Sequence, residues 1–366
     1  MKYICVHMRS SSGKYFLGLE HIRGFAAFIV FTWHFIHIHD GHKLGAVIFP
    51  FNILTEGHTG VALFMVLSGY LFAKILDNKE IIYSKFIWNR LIRLLPLLFI
   101  VISIAGIIQI AEGKDFVYYL KLILAGIVIP SLPNGGWSIT VEFHFYLLLP
   151  FLLFLHRKWK HSLVLLLAMA IILRLILYII LGQIQDFSYW TIIGRIDQFL
   201  LGILAFKYSA YIKNQHIGAF FVLLLFFVIY YYFEIQGGFY GFPEYPSHSP
   251  IWIILPTIEG IAYGFIISWY DTSFKYSKSW VSGVIASAGR YSYSIYLFHF
   301  FFVFEMAKLI DNYLVDLSNI YIAIFFSLVC FLLMIPLGYL SFRFIESPFL
   351  KFRTNYFKSQ QVRAKD

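Results

Sequence analysis

The chain has 366 residues, of which 60% are hydrophobic, 20% are aromatic and only 13% are charged. Soluble domains carry about 25% charged residues, so this composition excludes an ordinary water-soluble protein and indicates one embedded in a lipid bilayer. The net charge of +10 comes from short basic clusters between apolar stretches, which argues against a nucleic-acid-binding groove.

Ten apolar stretches are long enough to form transmembrane helices, each of which needs about 20 mostly apolar residues. They cover residues 20–39, 57–76, 93–111, 138–155, 161–181, 190–207, 216–234, 250–269, 291–310 and 320–342. The predicted fold is an all-α integral membrane protein of about ten transmembrane helices. One membrane domain, residues 20–349, is predicted between a short tail at residues 1–19 and a basic tail at residues 350–366.

The distribution of basic residues predicts the orientation of these helices. An even number of spans places both termini on one side of the membrane. If that side is the cytoplasm, the inner segments contain 21 Lys and Arg residues and the outer segments contain four, so we expect cytoplasmic N- and C-termini. The first apolar stretch includes polar residues and lacks a small-residue cleavage site, so a cleaved signal peptide is not expected.

The first predicted helix carries two polar residues on one face. Arg23 and His34 are eleven residues apart, which corresponds to three turns plus about 20° and to about 16 Å along the helix axis. Arg23 is expected toward the cytoplasm and His34 deeper in the membrane. Because polar side chains are costly in hydrocarbon, we expect the His34 imidazole to have a function rather than to be a buried, hydrogen-bonded ring.

Several histidines in and after this helix allow a metal site as an alternative. They are His34, His37, His39, His42 and His58, with Asp40 among them. No HExxH or CxxC pattern accompanies them, so no metal is expected. Cys5 and Cys330 lie in a polar tail and an apolar stretch, respectively, so no disulfide is predicted.

Two arginines stand three residues apart at the start of the third helix. Because the guanidinium groups of Arg90 and Arg93 can converge on one anion, they favour a phosphorylated cytosolic cofactor.

The fourth helix contains an acidic residue about one turn inside the membrane. Ser138 is expected to cap this helix, and Glu142 follows it by four residues. The sequence leaves open whether Glu142 pairs with Arg23, Arg195 or His34.

Seven short segments between residues 20 and 349 carry most of these residues in a fixed order. They are Arg23 and His34 in LEHIRGFAAFIVFTWHF; Gly60, Phe64, Ser68 and Gly69 in TGVALFMVLSGYLF; Arg90, Arg93 and Pro96 in RLIRLLP; Trp137, Ser138, Glu142 and Tyr146 in WSITVEFHFYLLLP; Arg195, Phe199 and Gly202 in RIDQFLLG; Ser292, Tyr293, Tyr296, Leu297 and His299 in GRYSYSIYLFHF; and Glu346 and Pro348 in FRFIESPF. Together they resemble the acyltransferase-3 family of polytopic membrane acyltransferases.

The resemblance implies a ten-helix enzyme that takes an acyl group, commonly acetyl from acetyl-CoA, on the cytoplasmic side. The acceptor is expected to be a hydroxyl of a bacterial surface glycan or lipid-linked sugar, such as O-antigen, capsule or exopolysaccharide. The implied location is the bacterial inner membrane, as a multi-pass protein. Some family members carry a fused extracytoplasmic domain; because this chain ends soon after the tenth predicted helix, we expect any such partner to be separate or unneeded.

The expected catalytic residues are His34, Glu142 and Arg23. His34 is expected to be the base, with an acyl-imidazole intermediate as a less favoured variant, and Glu142 to orient its ring. Arg23, Arg90 and Arg93 are expected to bind the CoA phosphates. Ser68 and Gly69 are expected either to line a path for the pantetheine arm or to allow close helix approach. The expected substrate pocket contains Trp137, Ser138, Tyr146, Arg195, Tyr296 and His299.

A proton-coupled transporter or sugar-lipid exporter is the alternative, because intramembrane His, Glu and Arg side chains also form proton relays. The sequence shows neither an internal repeat nor a pair of interrupted helices, and this favours the acyltransferase.

Overall fold

The computed structural model describes residues 15–37, 48–77, 79–241, 244–276 and 279–358, and this part of the chain is an all-α bundle without a β-strand. The longer helices are α1 Leu17–Ile36, α2 Thr59–Leu76, α3 Tyr83–Ala111, α4 Phe116–Gly126, α5 Gly136–Lys158, α6 Ser162–Leu181, α7 Ile192–Lys207, α8 His216–Ile235, α9 Leu255–Ser273, α10 Trp280–Arg290, α11 Ser292–Phe298, α12 Val303–Tyr313 and α13 Ile320–Ser341. Short helical segments lie at Asn52–Thr55, Gln185–Trp190, Ser209–Ile212, Pro250–Ile253, His299–Phe301, Phe342–Glu346 and Ser347–Leu350.

Each of the ten predicted spans overlaps a helix, and the ninth overlaps a bent pair of helices. In the described residues, six helical segments are long and apolar enough to cross a membrane, and a seventh results if the segments Ser292–Phe301 and Val303–Tyr313, bent by 56°, count as one span. The remaining three predicted spans fall on α1, α7 and α9. These helices are more polar or shorter, and they lie largely inside the bundle. The protein is thus an all-α membrane protein; the number of ten spans stays a prediction.

The long peripheral helices expose apolar side chains, as lipid contact requires. In α6, Ile179 and Ile180 are 72% and 70% exposed, and α13 exposes Leu333 in the same way. An apolar outer surface would be unfavourable in water, whereas in a bilayer it replaces lipid–lipid contacts at little cost.

Glycines allow the central helices α2 and α7 to pack closely. A side chain at Gly69 of α2 would clash with the backbone of Phe199, and one at Gly202 of α7 would clash with the backbone of Val66. This reciprocal contact is the small-residue packing that membrane helices use. Of the two expectations for Gly69, the structure therefore supports close helix approach.

One intramembrane arginine has a complete set of partners. Arg174 of α6 is fully buried and makes a bidentate pair with Asp197 of α7, with N–O distances of 3.0 and 2.5 Å. It also donates to Thr257 of α9 and to the carbonyl oxygen of Ile253. Because every part of this guanidinium group is used, Arg174 joins three helices and is not available to a ligand.

The two ends of the bundle differ in chemistry. At one end, Lys74 lies 4.3 Å from the ring of Phe16, Arg157 donates to the carbonyl oxygen of Lys79 at 2.7 Å, and Lys358 pairs with Glu80. This end, called the basic end below, holds the first and last described residues. The opposite end, which contains the connections before α5, before α7 and after α8, is rich in aromatic residues and is called the aromatic end.

Candidate active site

A cavity reaches into the bundle from the basic end and brings together residues from five helices. The empty space along it, open solvent included, is about 790 Å³. Its polar lining residues are Arg23 of α1, Ser68 of α2, Arg90 and Arg93 of α3, Ser138, Glu142 and Tyr146 of α5, and Ser292, Tyr293 and Tyr296 of α11. It is called the charged cavity below.

Glu142 is held by hydroxyl groups inside the charged cavity. Ser68 Oγ donates to its Oε1 at 3.0 Å, and the Tyr146 hydroxyl donates to the same oxygen. The charge of Arg90 also acts at this position. None of the three partners considered from the sequence, Arg23, Arg195 and His34, forms its hydrogen bonds. The expectation that Glu142 orients His34 is therefore wrong, because the two residues line different cavities.

Arg90 keeps an unused hydrogen-bond donor inside the charged cavity. Arg90 is only 7% exposed, its guanidinium carbon lies 5.2 Å from the ring centre of Phe72, and its Nε has no hydrogen-bond partner in the described residues. Arg23 donates to Glu20 at 2.7 Å. Buried guanidinium groups with unused donors suit a polyanionic ligand such as a phosphate ester.

A second cavity opens at the aromatic end and has about 980 Å³ of empty space. Its lining consists mainly of rings, from Trp33, His34, Trp137, Tyr189, Trp190, Phe239, Tyr240, Tyr245, Tyr296 and Phe300. Tyr245 is 44% exposed and marks the opening. Burial raises the pKa of Tyr240 and of Tyr245 to about 12, so both phenols are neutral hydrogen-bonding groups near neutral pH. This is called the aromatic cavity below.

His34 is the main titratable side chain among these rings. Its ring centre lies 4.6 Å from that of Phe300 and 5.1 Å from that of His299. His299 Nδ1 donates to the carbonyl oxygen of Tyr296 at 2.5 Å, which leaves Nε2 as an acceptor without a partner in the described residues. A second imidazole, rather than a carboxylate, thus lies beside the candidate base.

Tyr296 and Val61 line both cavities. The Tyr296 hydroxyl donates to the carbonyl oxygen of Gly135 at 3.3 Å, the long end of the hydrogen-bond range. Ser138 donates to the same carbonyl oxygen at 2.9 Å. Ser138 is therefore not the helix cap expected from the sequence, because α5 begins at Gly136 and Gly135 occupies the cap position.

Arg195 lies behind the aromatic cavity instead of on its surface. It is 1% exposed, its Nε donates to the carbonyl oxygen of Tyr189 at 2.7 Å, and its guanidinium carbon lies 4.3 Å from the Tyr189 ring centre. Glu259, 3.7 Å away, supplies the opposite charge. Arg195 therefore does not line the cavity, in contrast to the sequence prediction. It contacts Tyr189, which does line the cavity.

The histidines considered as a metal cluster do not converge in the described part of the chain. There, no group of three His, Cys, Asp or Glu side chains could hold a metal ion. His34 lines the aromatic cavity, whereas His58 lies 3.3 Å from Glu56. His39, Asp40 and His42 lie outside the described residues, as does Cys5.

Sequence reasoning missed most of the aromatic cavity. Trp33 was overlooked beside His34, and Tyr189, Trp190, Phe239, Tyr240 and Tyr245 come from two distant connections. The only local signal was the density of aromatic residues around the glycines at residues 237–241.

Comparison with known proteins gives a consistent result. A family model described as "Acyltransferase domain" matches residues 16–339. A protein of Staphylococcus aureus strain COL, provisionally named an O-acetyltransferase, is 29% identical in a 357-residue alignment that covers 84% of this chain and 55% of that protein. The O-acetyltransferase OatA of strain NCTC 8325 is 24% identical over 389 residues, with 93% of this chain and 58% of OatA covered.

A third similar protein is Nodulation protein 10 of Rhizobium leguminosarum bv. viciae, which is 27% identical over 165 residues, 38% of this chain and 44% of its own length. The chain spans little more than half the length of the two staphylococcal relatives. No solved structure matches it.

Proposed function

Since the chain belongs to the acyltransferase-3 family, as its seven segments predicted, we propose that it is a membrane O-acetyltransferase. The proposed donor is acetyl-CoA and the proposed acceptor is a hydroxyl group of a surface glycan or lipid-linked sugar. The proposed location is a bacterial inner membrane, with the basic end in the cytoplasm. The observation that best supports this proposal is that the charged cavity and the aromatic cavity share Tyr296 and Val61. His34 lines the aromatic cavity.

The charged cavity supports the donor. CoA carries a diphosphate and a 3′-phosphate, and Arg90 and Arg93 offer guanidinium groups at the end of the bundle that we assign to the cytoplasm. The pantetheine arm would then extend past Ser68 and place the thioester near Tyr296. Glu142 has two hydroxyl partners, so it organises Ser68 and Tyr146 along this path.

The aromatic cavity supports a sugar acceptor. Aromatic rings cover the apolar faces of sugar rings, while neutral phenols hydrogen-bond to their hydroxyl groups, which matches a lining of Trp and Tyr side chains.

In the proposed reaction, a ring nitrogen of His34 takes the proton of an acceptor hydroxyl as that oxygen attacks the thioester carbonyl carbon. The tetrahedral intermediate collapses, the C–S bond breaks, and the departing CoA thiolate takes up the proton. The centre of the His299 ring lies 5.1 Å from that of His34, and its Nε2 has no partner in the described residues, so it is available to accept a proton from His34 and orient it during the reaction. The Tyr296 hydroxyl, whose hydrogen bond to the Gly135 carbonyl oxygen is long, can turn toward the developing oxyanion.

The test is transfer of radiolabelled acetyl from acetyl-CoA to surface glycan by the purified full chain in lipid nanodiscs. We expect base-labile label in the glycan with wild type and a loss of turnover of about 10²- to 10⁴-fold in His34→Ala, the range of general base catalysis. The control is His161→Ala, which removes an exposed imidazole at the start of α6.

Equal transfer by His34→Ala and His161→Ala would remove His34 from the mechanism. Failure of wild type to transfer label to any glycan, with acetyl-CoA bound normally, would exclude the sugar acceptor. Failure to bind acetyl-CoA would exclude the proposed donor.

A further inference from the structure

The last described residues form a strap across the start of α3. Residues 351–358, called the strap below, pair with the preceding connection: Ile82 N donates to the carbonyl oxygen of Tyr356 at 2.7 Å and Lys358 N to that of Glu80 at 3.0 Å. Its attachment is therefore made by the main chain and does not depend on the identity of each strap side chain.

Buried side chains of α3 hold the strap as well. Asn89 donates to the carbonyl oxygen of Thr354 at 2.7 Å and accepts from its amide at 2.9 Å. Tyr356 is fully buried, with its ring centre 5.6 Å from that of Phe86. Phe86 and Asn89 precede Arg90 by four residues and one residue, so the strap is fixed on the helical turns of α3 that lead into the arginines of the charged cavity.

Arg353 precedes Thr354 and Arg90 follows Asn89, so the two hydrogen bonds between Asn89 and Thr354 bring Arg353 to the turns of α3 that carry Arg90 and Arg93. Burial and the charges of Arg93 and Arg90 lower the pKa of Arg353 to about 9. Its Nε has no hydrogen-bond partner in the described residues, as is also true of Arg90 Nε. The cluster therefore contains three guanidinium groups whose mutual repulsion persists in the folded protein.

The carboxylates nearby do not balance these three charges. Glu346 interacts with Arg93 and Arg353 and accepts a hydrogen bond from Ser294. Glu142 interacts with Arg90, so two carboxylates face three guanidinium groups and one positive charge is left over. An excess of buried positive charge with unused donors is unfavourable unless an anion is bound for at least part of the time.

We propose that Arg353 completes a phosphate-binding triad with Arg90 and Arg93, and that the strap exists in part to hold Arg353 there. The identity of the ligand as CoA rests on the proposed function, whereas the preference for a phosphate group rests on the triad itself. A phosphate ester accepts from several guanidinium groups at once, which neither a carboxylate side chain nor chloride does as well.

The first measurement is the Kd of CoA for the full chain in phosphatidylcholine nanodiscs. We expect Arg353→Gln to weaken binding about tenfold, as for the loss of one charge-assisted hydrogen bond. Arg353→Lys keeps the charge and should lose only about threefold. The matched control is Lys351→Gln, which removes the same charge from an exposed position on the strap and should change Kd less than twofold.

Dephospho-CoA separates the two phosphate sites of the ligand. If Arg353→Gln weakens CoA but not dephospho-CoA, Arg353 binds the 3′-phosphate; if it weakens both equally, Arg353 binds the diphosphate. Either result supports the triad. A Kd for CoA in Arg353→Gln within twofold of the Lys351→Gln value, while Arg90→Gln is weakened, would overturn it.

Inorganic pyrophosphate tests the triad independently of the donor. It should raise the thermal unfolding midpoint of wild type and of Lys351→Gln but not of Arg353→Gln. If wild type binds no CoA yet shows this pattern, the proposed donor is wrong and the triad stands. If pyrophosphate protects Arg353→Gln as well as wild type, the triad is wrong.

A lipid headgroup is the other source of a phosphate, and a second nanodisc composition distinguishes it. Suppose that phosphatidylglycerol in the nanodisc raises the thermal unfolding midpoint of wild type, so that pyrophosphate adds no further increase, but has no such effect on Arg353→Gln. The triad then binds a headgroup. If phosphatidylglycerol has no effect on either protein, the triad selects a soluble phosphate ester.

Discussion

The charged cavity and the aromatic cavity are built from different kinds of side chain. The charged cavity takes its polar groups from helices α1, α2, α3, α5 and α11. The aromatic cavity takes most of its walls from the ends of helices and the connections around residues 189–190 and 239–245. One presents buried cations with unused donors; the other presents rings and neutral phenols.

This contrast matches the two substrates of a transferase. A common donor is bound through fixed charges on rigid helices, where positions vary little. An acceptor that differs between organisms is better bound by connections, which tolerate changes in sequence. The comparison therefore predicts that substitutions in the two cavities affect different kinetic constants.

The largest expected difference between the two cavities comes from replacing two arginines of the charged cavity. Arg90→Gln with Arg93→Gln should raise the KM for acetyl-CoA about 100-fold, because two charge-assisted hydrogen bonds of at least about 1.5 kcal/mol each are lost. The KM for the acceptor should not change. Steady-state kinetics with each substrate varied in turn measures both.

The control is the double variant Arg343→Gln with Lys351→Gln. It also removes two positive charges, but from exposed side chains. An equal rise in the acceptor KM would mean that the charged cavity is not specific for the donor.

The next effect concerns the residue that both cavities share. Tyr296→Phe should lower kcat about tenfold and leave both KM values nearly unchanged, because the hydroxyl is proposed to stabilise only the oxyanion. Tyr263→Phe, which removes another buried hydroxyl, bonded to Thr59 at 2.9 Å, controls for a general loss of packing. A KM effect without a kcat effect would assign Tyr296 to binding alone.

A smaller effect is expected at the wall of the aromatic cavity. Trp190, whose ring packs 4.6 Å from that of Trp137, hydrogen-bonds to Tyr245 at 3.1 Å. Trp190→Ala should raise the acceptor KM about fivefold, as for the loss of about 1 kcal/mol of ring contact, without changing the acetyl-CoA KM. Trp159→Ala, an exposed tryptophan after α5, should leave both values unchanged. An unchanged acceptor KM in Trp190→Ala would place the acceptor elsewhere.

The smallest effect is at the outer end of the strap. The hydrogen bond and charge of Lys358 lower the pKa of Glu80, so this pair contributes to strap attachment above the ordinary pKa of glutamate and is lost as pH falls through the lowered value. At neutral pH, Glu80→Gln should raise the Kd for CoA less than twofold, because the pair is exposed and the main-chain bonds remain. Once the pH is below the lowered pKa of Glu80, wild type and Glu80→Gln should become indistinguishable; a large difference there would show another role for Glu80.

Sequence reasoning was most successful where hydropathy or local spacing carries the information. Apolar stretches located the helices, and the spacing of Arg90 and Arg93 placed two cations in one cavity. It failed where partners come from distant segments. The bonds of Glu142 require the contact of α2 with α5, and Arg353 looked like one of several basic residues in a tail. Trp137 and Arg195 were both predicted to line the substrate pocket. The sequence could not show that Trp137 lines a cavity whereas Arg195 lies behind it.

The sequence predicts no pair of interrupted helices, whereas the structure contains one. The 56° bend between Ser292–Phe301 and Val303–Tyr313 follows no proline or glycine in the segment, so no residue signals it. It places Tyr296 and His299 before the bend, beside the His34 ring.

The narrow partition formed by Val61 and Tyr296 has an electrical consequence. An enzyme that opens toward both faces of an energised membrane must pass an acetyl group without short-circuiting the ion gradient, and each 100 mV drives a leaking charge with about 2.3 kcal/mol. Apolar constrictions exclude water and ions by dewetting. Under the proposed mechanism, Val61 and the ring of Tyr296 would therefore limit the leak of ions between the two cavities.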